Sequence, residues 1–282
     1  MTELDMFLEE KDEIALNIRI NLLRDRISPE TKALTTIVIK SVRETQLPNG
    51  SWGNTIYKTI PTLRLLVDAH KHTTALFQKG FDWLLSLKGP SGFHEYSEEG
   101  QKVYCRDEYC PYGSELGSPE LTGRVLHLCG KVGFTNPAID EVIESMKQFQ
   151  REDNGFHGPQ FWEHDKKSCI GATLWLTRGL LKLNREPEIV EGAINFIENA
   201  EITHNVYQFS TSALALETLY LYNPEKTECV NAHIDYLLSL RNGNTTWNLD
   251  SNQQDRKEYR HRLFTVLKAI SKFDPDIIPD LQ

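Results

Sequence analysis

Long apolar runs, a surplus of basic charge and a regular set of cysteines are all missing from this chain. No stretch of its 282 residues is apolar for long enough to cross a bilayer, so no integral membrane segment is expected. Acidic residues outnumber basic ones, 40 to 31, giving a formal charge of -9. Such a surface repels nucleic-acid phosphates and anionic headgroups, and no local basic patch offsets it. The five cysteines, Cys105, Cys110, Cys129, Cys169 and Cys229, are odd in number and irregularly spaced. They do not form a disulfide framework, which points to a reducing cytoplasm. The N-terminal MTELDMFLEEKDEIALNIRINLL is acidic and amphipathic, without the basic start and apolar run of a signal peptide. What is present, 39% hydrophobic and 25% charged residues, suits a globular protein with a large core. A single domain over 1–282 is expected, because repeat architectures reach this length without a second core.

One pattern recurs along the chain: an amphipathic stretch, a polar turn usually holding glycine, then an aromatic. The copies are IVIKSVRETQLPNGSWG, GFDWLLSLKGPSGFHEY, IESMKQFQREDNGFHG and IDYLLSLRNGNTTWNLD, which put Trp52, Phe93, Phe156 and Trp247 in equivalent places. A degenerate copy, AINFIENAEITHNVYQF, lies between the third and fourth. Between the turns are more apolar stretches with helical spacing, PTLRLLVDAH, ELTGRVLHLCGKVG, GATLWLTRGLLKL and TSALALETLYLY, which read as inner helices. With helices added at both ends, about six helix pairs result, enough to close into an all-α, (α/α)6 toroid.

These turns carry a family resemblance. QLPNGSWG (46 to 53) resembles the Gln-to-Trp motif of squalene and terpenoid cyclases, and QREDNGFHG (150 to 158) is similar with Phe156 in place of Trp. The resemblance implies that Gln46 and Gln150 join the end of one outer helix to the next, with Trp52 and Phe156 covering the joint. GSELGSPELTGRVLHLCGKVGFTNPAIDEVIESMKQFQREDNGFHG reads like a complete squalene-cyclase repeat, and protein prenyltransferases share the same glycines and aromatics. The chain departs from both families at their chemistry. Where the cyclases carry an acidic Asp-x-Asp-Asp motif, YKTIPT (57 to 62) has no carboxylate. Glu120 falls where squalene cyclases have a carboxylate supporting a His, but the residue four later is Arg124, whose charge would hold that carboxylate ionised. A plain helix-surface ion pair explains the same two residues. The Asp-Gly-Cys turn of prenyltransferases would fall at Asn154, Gly155 and Phe156 and their His at Ser210, so the Asp, Cys and His that hold zinc there are all missing. No Asp-rich diphosphate-magnesium motif occurs.

Candidate site residues therefore come from the two longest stretches between turn and inner helix. Gly92 to Pro119 holds His94, Tyr96, Asp107, Tyr109 and Tyr112; HGPQFWEHDKKSC holds His157, Phe161, Trp162, His164 and Asp165. Aromatic faces there suit an isoprenoid chain and a carbocation, and Asp107, Glu120, His164 and Asp165 suit proton transfer. Tyr207 and Trp247, from the later turns, join them as substrate contacts. Solvated polar loops are the plainer reading of the same residues. Cys105 and Cys110 are five apart, wider than a zinc knuckle, and although His94, His157, His164 or Cys169 could complete a site, neither a metal nor another cofactor is expected. The reading is a terpenoid-cyclase-like enzyme acting on an isoprenoid or similar small apolar substrate by acid-base, carbocation-type chemistry. Two alternatives stand beside it: a carbohydrate-processing α/α-toroid enzyme, and a non-catalytic isoprenoid-binding domain. The oligomeric state is not readable from the sequence.

Overall fold

The computed structural model describes residues 8–89, 92–94, 118–156, 168–200, 208–242, 246–249 and 256–277. Among them are eleven α-helices and two short hairpins, so the chain is all-α as its periodicity predicts. In chain order the helices are α1 (Glu13–Asn21), α2 (Pro29–Glu44), α3 (Ile56–Asp68), α4 (Ala75–Ser86), α5 (Pro119–Val132), α6 (Pro137–Lys147), α7 (Ile170–Leu183), α8 (Pro187–Asn199), α9 (Gln208–Tyr222), α10 (Glu228–Ser239) and α11 (Arg256–Ile270). Strands β1 (Lys88–Gly89) and β2 (Gly92–Phe93) pair antiparallel, as do β3 (Arg241–Asn242) and β4 (Thr246–Trp247). None of the described helices is long and apolar enough to cross a membrane.

Two kinds of helix alternate. The even-numbered ones bury a single stripe at helical spacing: Ile139, Val142, Ile143 and Met146 on α6, and Val190, Ala193, Ile194 and Ile197 on α8. Their starts are fixed by side-chain caps from Thr74 on α4, Asn136 on α6 and Thr227 on α10. The odd-numbered α5 and α7 are instead buried around most of their circumference; α5 covers Leu121, Thr122, Gly123, Val125, Leu126, Leu128 and Cys129. Burial raises the Cys129 thiol to about 12, so it stays protonated and packs as a small apolar group.

The residues form two compact units, one of 42–200 and one of 1–41 with 201–282. In the first, α5 and α7 meet backbone to backbone. A Cβ at Gly123 would lie 2.3 Å from the Trp175 carbonyl, and one at Gly179 would lie 2.7 Å from the Gly123 oxygen. Only glycine allows the two helices this close. In the second unit, Arg260 on α11 is fully buried and donates from Nη1 to Asp12 (2.8 Å) and Glu10 (3.0 Å). Asp12 also caps α1 by accepting from the Ala15 N–H, so one carboxylate serves helix start and ion pair together.

Four turns share one device. The backbone N–H of the turn aromatic donates to a hydroxyl on the odd-numbered helix that follows: Trp52 to Thr59 (3.1 Å), Phe93 to Thr122 (2.9 Å), Phe156 to Thr173 (2.8 Å) and Trp247 to Tyr259 (3.1 Å). All four aromatics are buried. Gln46 acts as its motif implies, donating through Nε2 to the carbonyls of Gly50 (2.8 Å) and of Leu76 on α4 (3.0 Å). Trp52 packs against Gly80 of α4 and donates its indole N–H to the Val42 carbonyl at 2.8 Å. Gly50 has φ +100, and a Cβ there would meet the Lys79 carbonyl at 2.3 Å, so the turn requires glycine. Gln150 donates to the Asn154 carbonyl at 3.2 Å. The degenerate fifth turn, with Tyr207, lies outside the described residues.

Candidate functional site

Helices α3, α5 and α7 bring charged and aromatic side chains together around the ring of Trp175. Thr55 caps α3, accepting from the Lys58 N–H, so that helix starts at Ile56. The segment YKTIPT thus forms its first turns and does not precede it, with Pro61 inside the helix. Tyr57, in the first of those turns, lies with its ring 5.1 Å from the Arg124 guanidinium of α5. Arg124 also lies 4.1 Å from the ring of Trp175 on α7. Arg178, one turn beyond Trp175, is 5.4 Å from the same indole, and Arg64 of α3 approaches it to 6.0 Å. One indole therefore meets three guanidiniums from three helices.

Glu120 supplies the carboxylate. It stands in the first turn of α5, where a negative charge complements the exposed N–H groups, and its neighbour Ser118 makes no side-chain cap. Its Oε1 accepts from Arg124 Nε (3.1 Å) and Nη2 (2.7 Å). Both side chains keep about a fifth of their surface in solvent, 22% for Arg124 and 23% for Glu120. The approach of α5 to α7 sets this geometry: with no Cβ at Gly123, the backbone reaches the Trp175 carbonyl and the next residue, Arg124, stacks on the Trp175 ring.

Cys169, the residue before α7, feels the Glu120 charge, but burial is the larger influence and raises its thiol above the usual range. It is a protonated thiol at neutral pH and a poor nucleophile. Asp153 accepts from Ser168 Oγ (2.6 Å) and from the Gly155 N–H (3.1 Å). Those hydrogen bonds outweigh burial and hold its carboxyl below the ordinary range. Among the described residues, no three His, Cys, Asp or Glu side chains are gathered as a metal would need.

Of the residues proposed from sequence, Glu120 is at this cluster. His94 follows β2 and is half-buried. Trp247, in the other unit, is 1% exposed and packed in the core of its turn. Asp107, His164 and Asp165, with Tyr96, Tyr109, Tyr112, His157, Phe161, Trp162 and Tyr207, lie outside the described residues. Sequence reasoning missed Tyr57, Arg64, Trp175 and Arg178. The signal was one arginine inside each of three apolar stretches, PTLRLLVDAH, ELTGRVLHLCGKVG and GATLWLTRGLLKL. A guanidinium in a helix buried all round is costly unless it has work to do there.

No protein-family model and no curated protein matches the chain. Solved structures do. A variant of the type II terpene cyclase MstE from Scytonema, in complex with its substrate geranylgeranyl dihydroxybenzoate, is similar with a TM-score of 0.65 at 14% identity, over 93% of this chain and 87% of that one. A protein from Actinoplanes is similar with a TM-score of 0.62 at 15% identity, over 92% and 89%. A polysaccharide lyase is similar with a TM-score of 0.53 at 11% identity, over 92% and 72%. At these identities the likeness is one of fold. The terpenoid-cyclase-like fold of helix pairs expected from the sequence is the fold of this chain.

Proposed function

We propose that this chain, with its type II terpene cyclase fold, is a terpenoid-cyclase-like enzyme acting on an isoprenoid or similar apolar substrate by acid-base, carbocation-type chemistry. It acts as one domain over 1–282, in a cytoplasmic setting. The observation that carries the reading is the cluster of Glu120, Arg124, Tyr57 and Trp175 on α3, α5 and α7, since the resemblance puts the cyclases' acidic motif at the start of α3 and a carboxylate at Glu120 of α5. The fold neighbour that binds a geranylgeranyl compound supports the substrate class.

In such a reaction an acid protonates an alkene carbon, the more substituted neighbour becomes a cation, and the π electrons of a second alkene close a C–C bond. A base then removes a proton, so the sum is an isomerisation that needs no redox partner. Glu120, with two charge-assisted hydrogen bonds from Arg124, suits the accepting side of this cycle. Proton donation falls to Asp107, His164 and Asp165. Three guanidiniums make the Trp175 face a poor place for a carbocation, so the cation belongs against other aromatics, such as Tyr96, Tyr109, Phe161 and Trp162.

The test is incubation of the purified chain with linear isoprenoids, as alcohols, acids and diphosphates, followed by mass spectrometry and chromatography. A product of unchanged mass and new retention time is expected, and Asp107→Asn or Asp165→Asn should lower its yield by 10²-fold or more, roughly the contribution of a general acid. Folded protein that neither binds nor converts any isoprenoid contradicts the reading. The fold shared with a polysaccharide lyase favours a second reading, in which the arginines hold an acidic sugar; release of unsaturated oligosaccharides would identify it.

A further inference from the structure

We propose that Arg64, Arg124 and Arg178 form an oxyanion site at the edge of Trp175, taking the acidic head group of an apolar-chain ligand, with Glu120 as the resident counter-ion that gives way to it. The identity of the chain rests on the isoprenoid reading above; the anion site does not.

Three observations support the site. First, guanidiniums from three separate helices lie 4.1, 5.4 and 6.0 Å from one ring. Gathering like charges costs more than spreading them, and an isoleucine or methionine at any of the three positions would pack with less penalty. Arg124, over the ring at 4.1 Å, can turn the in-plane N–H groups of its guanidinium to an oxygen at the ring's edge, with the charges of Arg64 and Arg178 adding to the field there. Ile56 to Arg64 on α3 and Ile170 to Arg178 on α7 are equal intervals, so these two arginines stand at the same depth from the starts of their helices.

Second, Glu120 underuses its partner. Both donors of Arg124 go to the single oxygen Oε1, although the guanidinium fork matches two oxygens of one planar or tetrahedral anion. Nη1 of Arg124 makes no hydrogen bond among the described residues. A carboxylate or diphosphate presenting two oxygens suits the fork better than the bond it replaces. Third, the pair is reachable: Arg124 and Glu120 are 22% and 23% exposed, while Arg178 behind them is 5% exposed. Three guanidiniums around one ring in a chain of net charge -9 are a local departure that draws an anion to this place and not to the surface at large.

The experiment is isothermal titration of the full chain with inorganic pyrophosphate, farnesyl diphosphate, farnesoic acid and farnesol, repeated on Arg124→Gln, Arg64→Gln and Glu120→Gln, each checked for a wild-type circular dichroism spectrum and melting midpoint. Farnesyl diphosphate or farnesoic acid should bind about tenfold or more tighter than farnesol, and Arg124→Gln should remove that preference while leaving farnesol binding in place. Which of the two acids binds tighter separates a diphosphate head from a carboxylate head. Glu120→Gln should tighten anion binding, since it removes the competing carboxylate; a merely structural pair predicts no gain. Pyrophosphate binding that Arg124→Gln abolishes, without affinity for any farnesyl chain, supports the oxyanion site and contradicts the isoprenoid reading. Equal binding of acid and alcohol, weaker anion binding in Glu120→Gln, or no anion binding by the folded wild type overturns the site.

Discussion

Single residues in this chain are most informative where charge meets burial. His233, on α10, is 4% exposed, and its Nδ1 has no hydrogen-bond partner among the described residues. Desolvation lowers it from 6.5 to about 4. The unfolded chain therefore binds one more proton than the folded chain between those values, and stability is lost as pH falls from about 6.5 through about 4. The loss is on the order of 3 kcal/mol, and urea denaturation across this window should show it, with His233→Leu flattening that part of the profile. An unchanged profile in His233→Leu would contradict the assignment. The arginines teach the matching lesson about legibility. Arg64, Arg124 and Arg178 are visible as lone arginines in apolar stretches, yet nothing in their spacing says that they meet at Trp175. That meeting depends on how far α5 and α7 approach, which is a tertiary fact.

Helices and turns were the more readable scale. Apolar spacing located the even-numbered helices, because each buries one stripe and leaves the rest to solvent. The start of α3 was less readable: Pro61 suggests a boundary, but the Thr55 cap starts the helix at Ile56 and places the proline within it. The recurring aromatics were legible as a pattern, while their partners were not, since Thr59, Thr122, Thr173 and Tyr259 stand at different distances along the chain. Replacing Thr59 by Val should leave the buried Trp52 N–H without its acceptor and cost about 1–3 kcal/mol by equilibrium denaturation. Gly123→Ala should push α5 away from α7 and cost about 1–3 kcal/mol. It should also weaken anion binding, because Arg124 would move off the Trp175 ring. Unchanged stability and anion affinity in Gly123→Ala would show that the crossing does not set the site.

At the scale of the whole molecule, the all-α architecture was legible because a turn motif recurs along the sequence, and the chemistry was not, because it depends on tertiary meetings such as that of three arginines at Trp175. Asp12 and Arg260 are far apart in sequence, yet they join the start of α1 to α11 through a guanidinium with no exposed surface. Asp12→Ala removes the cap and one of the carboxylates that the buried Arg260 meets, leaving Glu10; a loss of about 2–3 kcal/mol is expected by urea denaturation, and a loss under about 1 kcal/mol would place the pair among surface contacts. The fold admits both an isoprenoid enzyme and a polysaccharide lyase, so substrate class is the central claim. It is tested most directly by titrating the full-length chain in parallel with a panel of linear isoprenoids and a panel of acidic oligosaccharides, with product analysis of each mixture. Saturable binding and isomerisation of an isoprenoid, with no affinity for the sugars, is the predicted result; cleavage of an oligosaccharide with no isoprenoid bound would contradict it.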